Sequence, residues 1–173
     1  LLYLDIECFP YENIIIDSEV TAERLKAYKG LLESKKNIIL TTHSAISKRI
    51  LPIEKIKDSF KVITSNYKYN QIIKTLQGTY YERTDRVLNK GEYAVKGPII
   101  DIYSVIEDSP IRLSFDIDKI DFIKEFDVDT QKTTNVVSSF ILSSKSEVNI
   151  DQQIIDIYKK SCIEVFDEEY TSD

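Results

Sequence analysis

The chain of 173 residues has no methionine and no tryptophan, one histidine, two cysteines and four glycines. Each scarcity closes off a class of chemistry. With glycine only at positions 30, 78, 91 and 97, there is no G-x-G-x-x-G turn and no G-x-x-x-x-G-K-[ST] loop to cradle phosphates. Cys8 and Cys162 form neither a CxxC pair nor a zinc spacing, and read as buried thiols in a reducing cytosol. His43 has no serine or cysteine partner in a recognisable setting and reads as a structural or surface residue. No run approaches the roughly 20 apolar residues of a membrane span, and no signal peptide opens the chain. With Leu1 first and no methionine, the sequence reads as part of a longer protein. Its net charge of −6 argues against a domain-wide nucleic-acid footprint, because phosphate contacts want a basic surface. A local basic patch stays open.

What is present suits one globular domain or two small ones: 42% hydrophobic and 30% charged residues. "LLYLDI" reads as a hydrophobic strand. "SEVTAERLKAYKGLLES" is helical, with Leu25, Tyr28 and Leu32 on one face and Ser18 able to cap its start. "NIILTTH" is a short apolar run, as in a buried parallel strand. "PIEKIKDSFKVIT" adds a short helix and a strand. The order fits part of an α/β layer over residues 1–65.

The texture then changes. "YNQIIKTLQ" is a short helix. From Tyr80 to Phe126 the chain reads as successive short antiparallel strands, "YERTDRVL", "GEYAVKG", "IIDIYSV", "IRLSFDI" and "KIDFIKEFD". Asn89-Lys90-Gly91, Lys96-Gly97-Pro98, Asp108-Ser109-Pro110 and Asp118-Lys119 are the turns between them. Alternation puts Tyr93 and Val95 on a core face, and Ala94 and Lys96 on the opposite one. "NVVSSFILSS" reads as one more strand, and "NIDQQIIDIYKKSC" as a final amphipathic helix. The expected fold class is therefore α/β with an inserted, mainly antiparallel α+β module over residues 66–147. The 148–173 helix returns to the first part.

One motif tempts. Asp5-x-Glu7 on a strand resembles the start of a two-metal exonuclease cluster, and Tyr81 and Asp85 imitate a later Y-x-x-x-D. The triplet is common by chance, and no central aspartate appears in a recognisable context. No catalytic, cofactor-binding or metal-binding residue is assigned.

The β-rich stretch carries a more specific resemblance. Tyr81, Arg83 and Val87, then Gly91-Glu92-Tyr93-Ala94-Val95-Lys96-Gly97, then Asp101-Ile102-Tyr103, Pro110-Ile111-Arg112-Leu113, and finally Ile120, Ile123, Lys124, Phe126, Asp127, Thr130, Gln131 and Lys132 follow a known pattern. They resemble the second domain shared by the excision-repair protein UvrB and the transcription-repair coupling factors (Mfd). The flanks "LLYLDIECFPYE", "SEVTAERL" and "AISKRILP" are similar to the N-terminal UvrB-like region of the coupling factors. The resemblance implies a partial RecA-like layer carrying the inserted domain. It also implies an adaptor that binds UvrA and recruits excision repair to stalled RNA polymerase, without catalysis or cofactor of its own. The parent's polymerase-binding domain and ATP-driven motor would lie elsewhere. DNA contact would be weak or made through the parent, in a bacterial cytoplasm. A fragment of UvrB or of another DNA- or nucleotide-handling repair enzyme is the alternative. The family's interface arginines fall on Arg83, Ala94 and Lys96, with Arg86 and Lys90 as further candidates on the neighbouring strand and turn. Arg83 and Lys96 are expected as cross-strand neighbours in one exposed patch. The chain departs from the pattern in three ways. Positions 96, 124 and 132 carry lysine for arginine, which loses bidentate geometry. Tyr80 stands where the coupling factors usually have glycine. Ala94 stands where UvrB has arginine.

Overall fold

A computed structural model of the protein describes residues 1–5, 18–33, 36–47, 49–50, 53–145 and 152–153. Among these the chain order is β1 (Leu2–Tyr3), α1 (Ser18–Leu32), β2 (Leu40–Thr41), α2 (His43–Ser47), β3 (Arg49–Ile50), α3 (Ile53–Asp58), β4 (Phe60–Thr64), α4 (Tyr69–Gly78), β5 (Glu82–Arg83), β6 (Glu92–Lys96), β7 (Ile99–Ile102), β8 (Ile111–Asp116), β9 (Lys119–Phe126), β10 (Thr133–Val136), β11 (Ser139–Ser143) and β12 (Gln152–Gln153).

The main sheet has the order β10-β9-β8-β7-β6-β5. Its pairings are antiparallel except the last, where β5 runs parallel to β6. Two-residue loops close two of its hairpins. Gly97-Pro98 joins Lys96 to Ile99, with Gly97 at φ +60°. Glycine at positive φ in the first loop position is the II′ pattern that matches strand twist. Ile117-Asp118 joins Asp116 to Lys119. Between Ser114 and Phe115 the β8–β9 register shifts, leaving Asp121 as the extra residue on β9. That bulge lets Ile120 and Ile123, three apart, both face inward.

One face of the sheet builds the core. Tyr93, Ile100, Ile102, Ile111, Leu113, Phe115, Ile120 and Ile123 are buried in one cluster with Ile72 and Leu76 of α4, Ile63 of β4, and Phe140 and Leu142 of β11. Ile72 and Leu76 lie four apart on one helical face, the spacing that turns both toward the sheet. Tyr69 packs edge-on against Phe115 with ring centroids 5.0 Å apart. β4 and β11 pair antiparallel beside this core, so the segment read as the first part contributes a strand to the second. At the start of the chain β1 pairs parallel with β2. Arg24 of α1 is buried, lies 4.2 Å from the centroid of the Tyr3 ring, and donates to the Leu4 carbonyl at 2.7 Å and the Tyr3 hydroxyl at 2.6 Å.

Several expectations need correction. The apolar run 37–43 forms only the two-residue β2, and Leu40 is 64% exposed: pairing with β1 satisfies its backbone without burying its side chain. "YERTDRVL" is strand only at Glu82–Arg83, because the chain turns away after β5 to place Val87 in a separate small cluster. "NVVSSFILSS" divides between two sheets: β10 pairs with β9, and β11 with β4. Gln152–Gln153, read as helix, is a strand paired with Arg49–Ile50, a long-range contact invisible to helical periodicity. The rest of that expected helix lies outside the described residues, as do Glu7, Cys8 and Cys162. Val95 is half-buried rather than buried, since it sits next to the end of β6.

The outer sheet face as a candidate interface

Cross-strand register assembles the outer face row by row. One row runs Lys96, Ile99, Ser114, Phe122; the next runs Ala94, Asp101, Arg112, Lys124, Val136. Paired residues share a face, so these side chains are neighbours across β6 to β10.

The second row is held by a bidentate ion pair. Arg112 Nε donates to Asp101 Oδ1 at 2.6 Å and Arg112 Nη2 to Oδ2 at 2.8 Å. Asp101 is buried, and its hydrogen bond to Arg112 is the main reason the guanidinium is held above its ordinary pKa. Arg112 also donates through Nη1 to the Gln131 carbonyl at 3.0 Å and lies 4.7 Å from the Phe126 ring centroid. The loop 127–132 is tied down further. Asp127 Oδ1 accepts from the Thr130 amide and hydroxyl, and Gln131 Nε2 donates to the Val128 carbonyl at 2.7 Å. The hydrogen bonds from Thr130 hold the exposed Asp127 carboxyl below its usual range. Residues from three of the quoted sequence motifs therefore meet in one hydrogen-bonded network.

That network decides what each candidate residue can offer. Ala94 shares the Lys96 face but is only 1% exposed, because Val87, Phe126 and Tyr103 close over it. Arg86 donates to the carbonyls of Val128 at 3.1 Å and Asp129 at 2.8 Å, clamping the same loop. Lys90 lies 5.8 Å from the Tyr103 ring centroid, beside a cavity of about 450 Å³ that Glu19, Glu23 and Asn89 also line. Burial, then repulsion from Lys26, push the Lys90 ammonium below its ordinary pKa, against the opposing pull of Asp108, Glu23 and Glu19. Arg83 and Lys96 differ from these: both are exposed, and their side chains have no hydrogen bond or ion pair among the described residues. They are not the cross-strand neighbours expected from sequence. β5 runs parallel to β6 with Arg83 opposite Tyr93, whereas Lys96 faces Ile99 on the other side. Alternation then gives the two cations opposite parity, with Arg83 on the short edge strand.

Sequence reading passed over Phe122, although it had noted Lys124. The Lys124 ammonium lies 4.3 Å from the Phe122 ring centroid, a cation–π contact on the open part of the face. The missed signal was the spacing of Ile120 and Ile123, which demands a bulge and so turns Phe122 outward.

The family model of the UvrB interaction domain matches residues 62–148. The transcription-repair-coupling factor of Haemophilus influenzae is 31% identical over 169 residues, 96% of this chain and 15% of its own length. That of Borreliella burgdorferi is 34% identical over 152 residues, 86% of this chain and 14% of its own length. That of Escherichia coli is 24% identical over 165 residues, 94% of this chain and 14% of its own length. The chain thus spans about one-seventh of the length of these curated relatives.

Proposed function

The chain belongs to the UvrB interaction domain family, and on that premise we propose that it is the UvrA-binding adaptor of a transcription-repair-coupling factor. In this reading the stretch performs no catalysis. It offers a rigid sheet face to acidic groups on UvrA, and so brings excision repair to a polymerase engaged by other parts of the parent. ATP-driven movement on DNA would belong to those other parts.

The observation that carries the reading is the contrast among the candidate cations. Arg86 and Arg112 are committed to holding the loop 127–132 and the buried Asp101. Lys96 stands uncommitted at the open end of the outer face, and Arg83 stands uncommitted at the edge strand. An unpaired, exposed lysine on a rigid strand can meet a carboxylate without first breaking an internal bond. Placed in a chain of net charge −6, such a cation also stands out locally for an approaching acidic surface.

The test is binding of purified UvrA to the wild-type chain, to Lys96→Glu, to Arg83→Glu and to the double variant, with circular dichroism on each. Losing one partner of a desolvated charge pair costs roughly 2–5 kcal/mol. The double variant should therefore lose most of its affinity while keeping its fold, and Lys96→Glu should carry the larger share. Equal affinity for all four proteins would remove both residues from the interface.

A further inference from the structure

The β8–β9 hairpin ends in a residue whose conformation and exposure are both unfavourable. Ile117 has φ +57° and is 96% exposed. A β-branched side chain in the left-handed region is an outlier, because its Cβ crowds the backbone. A fully exposed isoleucine also gains nothing from burial. Glycine would fit this first loop position without strain, as Gly97 does in the neighbouring hairpin.

The tip is nonetheless held firmly. The Tyr69 amide donates to the Asp118 carbonyl at 3.2 Å, Lys68 and Asp118 pair at 3.7 Å, and Lys68 bridges to Lys119 in antiparallel register. The start of α4 therefore braces the loop. The tip also adjoins the candidate interface. The Phe115 amide donates to the Pro98 carbonyl at 2.9 Å, bringing the two hairpin loops to the same end of the sheet. From Lys96 the register runs through Ile99 to Ser114, and Ile117 lies three residues further along. Two strand spacings and three residue rises amount to roughly 14 Å. That fits within the footprint of about 800 Å² that each partner contributes to a standard interface.

We propose that Ile117 is a preorganised apolar anchor of the partner interface, entering an apolar socket on UvrA whose rim is basic where it meets Asp116. The inference rests on the UvrA-binding reading above and adds a contact at the hairpin tip. Strain held in place by surrounding structure, at an exposed position at the same end of the sheet as an uncommitted cation, marks a side chain kept for contact rather than stability. Asp116 is exposed beside it and Asp118 is occupied by Lys68. The socket therefore meets an apolar knob beside one free carboxylate, so its rim is opposite in sign to the acidic groups that meet Lys96.

The experiment compares Ile117→Gly, Ile117→Val and Lys96→Glu in the same chain, measuring UvrA affinity and melting temperature. Ile117→Gly should melt at the same temperature as wild type or higher, yet bind UvrA roughly 5- to 30-fold more weakly, as expected when a buried interface side chain is lost. Ile117→Val, which removes a single methylene, should bind more tightly than Ile117→Gly and within roughly fourfold of wild type. Unchanged affinity for Ile117→Gly beside lost affinity for Lys96→Glu overturns the anchor and leaves the UvrA reading standing. Unchanged affinity for both overturns the reading and the anchor with it. A lower melting temperature for Ile117→Gly also overturns the anchor, since the tip would then be a stabilising element.

Discussion

At the residue scale, a side chain's role here follows from what it already holds. Arg112 spends its guanidinium on the buried Asp101 and on the Gln131 carbonyl. Arg112→Met would leave that carboxylate buried without its partner, at a cost of roughly 2–4 kcal/mol, toward the lower end for buried pairs because Arg112 keeps some exposure. Arg112→Lys should cost less, since it keeps the charge and loses the fork. Denaturant midpoints check both; midpoints equal to wild type would mean that the pair contributes nothing net. Tyr80 shows the opposite situation. Thr79 caps α4, Tyr80 follows at φ +63°, and the Tyr81 amide donates back to the Leu76 carbonyl at 3.3 Å. That is a Schellman ending, whose left-handed position favours glycine. Tyr80 is 64% exposed, so Tyr80→Gly loses little packing and should stabilise the chain by about 0.5–1 kcal/mol. A melting temperature that falls would show that the ring packs to some purpose.

At the element scale, the turn before β6 is held by a carboxylate. Glu92 accepts from the Leu88 amide at 2.8 Å, the Asn89 amide at 2.9 Å and the Asn89 side chain at 3.0 Å. Burial alone would raise its pKa. Those three hydrogen bonds, with the nearby Lys145, outweigh burial and hold it below the ordinary glutamate value. A depressed acid binds its proton less readily in the folded chain than in the unfolded one. The stability it adds is complete above the ordinary glutamate range and drains away as the pH falls through it. Glu92→Gln should therefore melt below wild type at neutral pH, with the gap closing on acidification. A gap of constant size across that range would separate the turn from the titration of Glu92.

At the scale of the whole molecule, a few polar ties join segments distant in sequence around the common core. The buried Tyr81 hydroxyl, its pKa raised mainly by burial, accepts from the Val105 amide at 3.2 Å. It also lies 3.4 Å from the Ser104 hydroxyl, which donates to the Ile141 carbonyl at 2.7 Å. Three chain segments are thereby linked: the residue before β5, the β7–β8 connection and β11. Tyr81→Phe would orphan the buried Val105 amide, at a cost of about 1–3 kcal/mol. Amide exchange should quicken in both the β7–β8 connection and β11. Faster exchange confined to the site of substitution would mean that the segments open independently. The loop 127–132 plays a similar part on the outer face, where Arg86 and Arg112 tie its carbonyls to the segment after β5 and to β8.

What the sequence by itself determined was local. Alternation over 92–96 placed Tyr93 and Val95 on a core face, and the structure buries Tyr93 and half-buries Val95 there. Lys96-Gly97-Pro98 marked a turn and residues 69–77 a short helix, because strand and helix periods are properties of the backbone alone. Motif order pointed to the family. The tertiary structure decided the rest. Arg86 reads as a free cation until the chain brings Val128 and Asp129, more than forty residues away, within reach of its side chain. Ala94 reads as outward-facing until Val87 and Phe126 cover it. β5 reads as antiparallel until it lies parallel to β6, and residues 135–144 read as one strand until two sheets claim them. Each of these outcomes depends on which distant segment becomes a neighbour, and no local period encodes that.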